Sequence, residues 1–312
     1  MELRHLRYFV AVAEARTFTL AAARLGIQQP PLSQQIRMLE KELGFALFKR
    51  VPKGVELTAG GRVFLDEATA ILAGVKRAGQ RASSAAHGKM GKLSLGFTSS
   101  AITHSLAPRL IRGFRLAYPD VELEFQEGSA AKLIQSVADG SVDIGTVRKP
   151  VSRPDGVGFR VLLNEPMMLV LPATHRLARA AGKGKKGQTG LLSLRDLKGE
   201  AFILTRRPGA PGMYADLISA CHRAGFTPKI AAEVENMLTN VALVAAGIGV
   251  SAVPESMRDI HAGDVAYFRP KEAAQLVAPL TLVYLTSTTN PAASRFLSFV
   301  DGFDLSGDRV TA

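Results

Sequence analysis

Two short helical segments hinged on one glycine, Gly26, constrain this chain more than any other feature of its sequence. Thr17 is placed to cap the segment FTLAAARL, and Gly26 stands where a helix C-terminus favours a left-handed residue. The run Ala21-Ala22-Ala23 lets another helix pack closely. A first helix precedes it, with Leu3, Leu6, Phe9, Val10 and Ala13 on one face at amphipathic spacing. The third segment opens near Pro30-Pro31, residues tolerated in a first turn whose amides lack internal partners. Leu32, Ile36, Leu39 and Leu43 make its single apolar stripe, while Met38 lies off it. At about 100° per residue, Pro30, Ser33, Gln34, Arg37 and Lys41 project from the other side. That face offers a hydroxyl, an amide, a guanidinium and an ammonium, with no carboxylate, and such groups read base edges and hold phosphates. A short helix, a glycine turn and a helix with a cationic outer face describe helix-turn-helix geometry, with double-stranded DNA as the expected partner.

Charge points the same way. Residues 1–90 carry roughly +7 of the chain's formal +12, so positive density is concentrated at the N-terminal end. The stretch TFTLAAARLGIQQPPLSQQIRMLEKELGFALFKRVPKGVELTAGG then resembles, over some forty unbroken residues, the signature of LysR-type transcriptional regulators. The resemblance implies a small wing in which Phe45 to Arg50 pairs with Val55 to Thr58, with Pro52-Lys53-Gly54 at its tip. Candidate DNA-binding residues are Gln28, Gln29, Pro30, Pro31, Ser33, Gln34, Arg37, Lys41, Arg50 and Lys53. Any one of them, taken alone, reads as an ordinary solvated side chain; the pattern points to DNA.

Thr58 is a good N-cap, and no proline follows it until Pro108. Phe64, Ala68, Ile71, Val75, Ala78 and Ala82 recur at the alternating spacing of coiled-coil core positions. A helix from Ala59 to about Ala86 would be roughly 40 Å long at 1.5 Å per residue. Either a second chain or the body of the same chain must cover that stripe. The first is expected, because a small winged domain is too short to do so, and related linker helices pair across the family. A homodimer or tetramer follows, with RNA polymerase as a further candidate partner of the assembled regulator.

Beyond the hinge SSAAHGKMG, strands and helices alternate. KLSLGFTSS, VELEFQEG and VDIGTV read as strands separated by the helices ITHSLAPRLIRGFRLAYP and SAAKLIQSVADG, a series that predicts a parallel sheet flanked by helices. MMLVLP, AFILT, KIAAEVE and GIGVSAVP supply further strands, with LSLRDL, GMYADLISACHRAG and NMLTNVALVAAG as helices. The strand LTLVYL and helix AASRFLSFVDGF are expected to return to the first lobe. The expected architecture is thus a two-lobed α/β sensor domain, similar to periplasmic binding proteins, preceded by an all-α winged helix-turn-helix and a long linker helix. The boundaries read as 1–58 for the DNA-binding domain, 59–88 for the linker and 92–304 for the effector domain. Lobe I spans about 92–161 and 268–304, and lobe II about 162–267.

In such sheets ligands bind beyond the carboxyl ends of the strands, where helix N-termini present free amides. Ser99, Ser100, Ser129 and Thr205 fall there, Thr205 beside Arg206 and Arg207, and hydroxyls with helix amides suit a carboxylate. Each hydroxyl could equally serve only as a helix cap. Arg148 follows the strand VDIGTV and is a further candidate, which either faces the effector or pairs with Glu165. The start MELRHLRYFVAVAE resembles family members that control aromatic-compound breakdown, which implies an aromatic acid or its ring-cleavage product as effector.

Other chemistries find little support. Gly182 to Gly187 matches a glycine-rich phosphate loop in letters only, since no strand precedes it and no helix follows; it reads as a lysine-rich surface insertion. The six histidines show no metal-ligand spacing and Cys221 stands alone, so neither metal nor other cofactor is expected. Ser99 and His104 lack a nucleophile-elbow motif, which argues against a hydrolase. One cysteine, a charged N-terminus and an apolar run around Val241 to Val253 broken by Gly247, Gly249 and Pro254 suit the cytoplasm and no membrane. The function expected is a non-enzymatic, sequence-specific DNA-binding regulator that responds to a small molecule. The competing reading is an enzyme or solute-binding module with an incidental DNA-binding domain.

Overall fold

The computed structural model describes residues 1–181, 190–205, 213–272, 274 and 276–305. The lysine-rich stretch 182–187 and the pair Arg206 and Arg207 lie outside the described residues. The chain forms two compact units that divide after Ser84.

In the first unit, α1 (Leu3–Ala15), α2 (Phe18–Leu25) and α3 (Gln29–Leu43) precede the hairpin β1 (Phe48–Val51) and β2 (Gly54–Leu57), and α4 (Ala59–Ala86) follows. The Thr17 hydroxyl accepts from the Leu20 amide at 3.2 Å and starts α2; Gly26, at φ 70°, ends it. The proline pair lies inside the first turn of α3, which begins at Gln29. Phe9, Leu32, Leu39 and Leu47 are fully buried, each such side chain stabilising by roughly 1.5–3 kcal/mol. Phe9 touches Phe48 and Phe64, with ring centroids 5.3 and 5.1 Å apart, so the wing and the start of α4 share the helical core. The unit is therefore not purely helical, and the hairpin strands are shorter than expected, starting at Phe48 and ending at Leu57. Gly54 explains the tight seating of the wing: a Cβ there would stand 2.3 Å from the Arg16 carbonyl oxygen. That carbonyl accepts from the Val55 amide at 2.9 Å.

The second unit contains β3 (Met90–Phe97), α5 (Ser99–Ile102), α6 (Leu106–Ala117), β4 (Asp120–Glu127), α7 (Ala130–Ala138), β5 (Ile144–Val147) and β6 (Val157–Pro172). There follow α8 (Arg176–Ala181), β7 (Leu191–Leu192), β8 (Ala201–Thr205), α9 (Met213–Arg223), β9 (Lys229–Val234) and α10 (Met237–Ala245). The chain returns through β10 (Ser251–Pro254), β11 (Val265–Pro270), β12 (Val277–Leu285) and α11 (Pro291–Asp301). β3, β4 and β5 are parallel, as the alternating pattern predicts. β12 runs antiparallel to both β5 and β6, so the sheet is mixed rather than parallel. β6 is the crossover: its 16 residues pair with β12 along one part and with β10 and β11 along the rest. β8 and β9 form a small parallel sheet in the second lobe.

Three local readings change. The expected helix after β3 is two, α5 and α6, with Thr103 to Ser105 between them; the buried His104 ring accepts from the Leu106 amide at 3.1 Å and holds the break. LSLRDL forms a 3-10 turn, Leu194–Leu197, capped reciprocally by Ser193 and Asp196. β11 is a strand that the turn-rich sequence around it concealed. Each lobe has its own core, one around Phe114, Leu95 and Phe296 and the other around Phe202, Val241 and Leu171.

Candidate nucleic-acid interface and effector cleft

On α3 the apolar stripe faces inward, with Leu32, Ile36 and Leu39 at 0–1% exposure. Gln28, Gln29, Pro30, Pro31, Gln34, Arg37 and Lys41 are exposed, and Ser33 is half-buried beneath Gln29, whose Nε2 donates to its hydroxyl at 2.9 Å. Arg50 is exposed on β1 and Lys53 at the hairpin turn. Among the described residues none of Arg37, Lys41, Arg50 or Lys53 joins an ion pair.

The two carboxylates of α3 are turned to other work. Glu40 accepts from the amides of Leu47 and Phe48 at 2.8 and 3.1 Å, fixing the wing to the helix. Glu42 pairs with the N-terminal ammonium. The outer face is left cationic and polar. Buried His5 ties α1 to this helix, its Nε2 lying 2.8 Å from the Gln35 amide oxygen. The sequence did not single out Glu40 or His5, since two acidic residues beside Arg37 and Lys41 read as an ordinary solvated helix face.

In the second unit, a cavity of about 390 Å³ opens between the lobes. Thr98, Ser99 and Ser100 line it from the end of β3, Ser129 from the start of α7 and Thr205 from the end of β8, with Arg148 following β5. The topology thus brings all five sequence candidates to one cavity. Two helices aim their N-termini at it from opposite lobes: α7, capped by the Ser129 hydroxyl, and α10, capped by Asn236, whose side chain accepts from the Thr239 amide at 2.8 Å. Thr98 Oγ1 is buried there without a hydrogen-bond partner among the described residues. Thr205 Oγ1 accepts from the Asn240 side-chain amide at 3.0 Å and packs on Met237.

Arg148 has its partners already. It pairs with Glu165, its Nε donates to the Ser100 carbonyl at 3.1 Å, and Nη2 donates to the Ser256 hydroxyl at 3.0 Å. Burial lowers its pKa from the usual arginine value, and the Glu165 carboxylate opposes that shift. Of the two roles the sequence leaves open, the pair with Glu165 is formed, and the residue also lines the cavity. Sequence reasoning passed over Lys149, Tyr214 and Asn236, which also line it; they sit on loops and helix starts where periodicity carries no signal.

A helix-turn-helix unit with a cationic outer helix, followed by a two-lobed unit around a hydroxyl-lined cleft, defines the class of DNA-binding transcription regulators that carry an effector domain. This chain belongs to the LysR family of that class: residues 3–62 match the bacterial regulatory helix-turn-helix of the lysR family, and residues 86–303 match the LysR substrate binding domain. It is 35% identical to the HTH-type transcriptional regulator AlsR of Bacillus subtilis (strain 168), over 95% of this chain and 94% of that one. It is 37% identical to BudR of Raoultella terrigena, over 95% and 99%. The crystal structure of CbnR, a LysR family transcriptional regulator, shares the fold with a TM-score of 0.81 at 31% identity, covering 96% of this chain and all (100%) of that one. Full-length CbnR complexed with its target DNA matches with a TM-score of 0.74 at 31% identity, over 96% and 99%. The reading as an enzyme or solute-binding module therefore gives way. Among the described residues no helix is long and apolar enough to cross a membrane, and no cluster of His, Cys, Asp and Glu suits a metal ion.

Proposed function

We propose that residues 1–58 read an operator through Gln28, Gln29, Pro30, Pro31, Ser33, Gln34, Arg37 and Lys41, with Arg50 and Lys53 of the wing on phosphates. The carrying observation is the outer face of α3, cleared of free carboxylate by the contacts of Glu40 and Glu42. The match to a relative solved with its target DNA supports it. Residues 59–88 dimerise: beyond the anchored Phe64 and Ala68, Ile71 and Val75 are 41% and 42% exposed in the single chain, and Ala78 and Ala82 are also exposed. The regulator works in the cytoplasm as a dimer or tetramer.

Residues 92–304 bind a small carboxylate, aromatic acids among them, between the lobes. Hydroxyls of Ser99, Ser100, Ser129 and Thr205 and the free amides of α7 and α10 supply its hydrogen bonds. Tyr214 lines the same cavity. The effector must prefer one arrangement of the lobes to another, since only differential affinity shifts such an equilibrium. A gel shift on DNA flanking the gene, repeated across salt concentrations, tests the DNA half: specific binding should exceed nonspecific binding by about 10³-fold or more. Equal affinity for unrelated DNA would overturn it. A thermal-shift screen of carboxylates tests the other half.

A further inference from the structure

Among the described residues the cleft has two cations on its wall, and they differ in availability. The Arg148–Glu165 pair is nearly sealed, with side chains 4% and 8% exposed, and three more polar groups hold it in place. Removing either partner would strand a buried charge. An incoming anion gains nothing from such a committed guanidinium. Lys149, the next residue, is different. Its ammonium reaches Asp216 in the first turn of α9, 2.7 Å from both carboxylate oxygens. These side chains remain 41% and 34% exposed. A half-exposed pair of this kind is weak and readily exchanged. Lys149 belongs to the first lobe, leaving β5, and Asp216 to the second, so the bond also joins the lobes.

We infer that Lys149 is the effector's counter-cation and that Asp216 is its resident competitor, an internal carboxylate that an effector carboxylate displaces from the same ammonium. At Lys149 one carboxylate replaces another, and the released Asp216, whose side chain is 34% exposed, hands its charge to solvent. The exchange makes the cleft selective for anions over their neutral analogues. It also converts occupancy into the loss of a cross-lobe bond. Glu127 and Glu235, which border the same space, repel anions that approach without finding Lys149.

The inference rests on the carboxylate reading of the cleft, and the experiment separates the two. Benzoate, succinate and adipate, each beside its neutral amide, are titrated calorimetrically into the full chain and into the Asp216→Asn, Lys149→Gln and Ser129→Ala variants. Removing the competitor should tighten binding of the favoured acid about fivefold, and removing the cation should weaken it by at least as much, with the amides unaffected by either change. If the acid binds the wild type and is weakened by Ser129→Ala, while Asp216→Asn and Lys149→Gln leave its affinity unaltered, the cleft takes carboxylates without this exchange and the inference falls alone. If no acid binds any form, Asp216→Asn included, both readings fall. Should Lys149→Gln unfold, the rise in affinity of Asp216→Asn decides.

Discussion

Single residues on α3 carry the separation between reading a sequence and merely adhering to DNA. Arg37 and Gln34 project without competing partners among the described residues, so Arg37→Ala or Gln34→Ala should weaken operator binding by about 1–3 kcal/mol while nonspecific binding changes less. Lys53→Ala at the wing tip should weaken all sequences alike and lower the salt slope by about one. Competition binding at several salt concentrations distinguishes the two; an intact operator affinity for Arg37→Ala would show the recognition helix turned the other way. In the cleft, Ser129→Ala should abolish the effector response in a reporter assay. A normal response would leave Ser129 as a helix cap only. Elsewhere, burial, with a smaller contribution from Glu272, pushes the Cys221 thiol from 9.0 to about 12. A group whose folded pKa is raised keeps its proton longer in the native state. The stability it contributes is full below about pH 9 and declines as pH rises from there toward 12. The native protein should resist thiol reagents at neutral pH and unfold more easily in alkali; rapid labelling at pH 7.5 would contradict this. The hydroxyls at strand ends were legible because topology alone dictates where they go. The Lys149–Asp216 bond was not, since its partners stand 67 residues apart and meet only through the packing of two lobes.

At the scale of elements, the helices of the first unit could be read almost residue by residue, because Thr17, Gly26 and the proline pair punctuate them with their own backbone chemistry. The second unit yielded less. α5 and α6 read as one helix in the sequence, and the Thr103 hydroxyl on the Ser100 carbonyl and the His104 ring on the Leu106 amide mark the break between them. β11 was lost among glycines and turn residues, since a six-residue strand owes its existence to the neighbour β6. The helix α4 raises the opposite question, an evident periodicity without an evident partner. Ile71→Asp puts a charge on its exposed stripe, where a second copy would bury it. We expect sedimentation to show monomers and operator binding to fail, with the effector domain still folded by circular dichroism. An unchanged dimer would place the main contact elsewhere.

Over the whole molecule, two units with separate cores should melt separately. In differential scanning calorimetry, operator DNA should raise one transition and a bound carboxylate the other, by about 2.7 kcal/mol at a hundredfold excess over Kd. One transition raised equally by both would mean that the units unfold together. How the lobes can move within the second unit is set by β6. It passes unbroken from one lobe to the other, laced to β12 through nine paired positions with a single slip at Leu280 and Thr281. Sliding one lobe past the other would tear that ladder, whereas twisting it costs little. The pair of strands therefore behaves as a leaf spring with one notch: it allows torsion, forbids shear, and restores the resting angle when the load is removed.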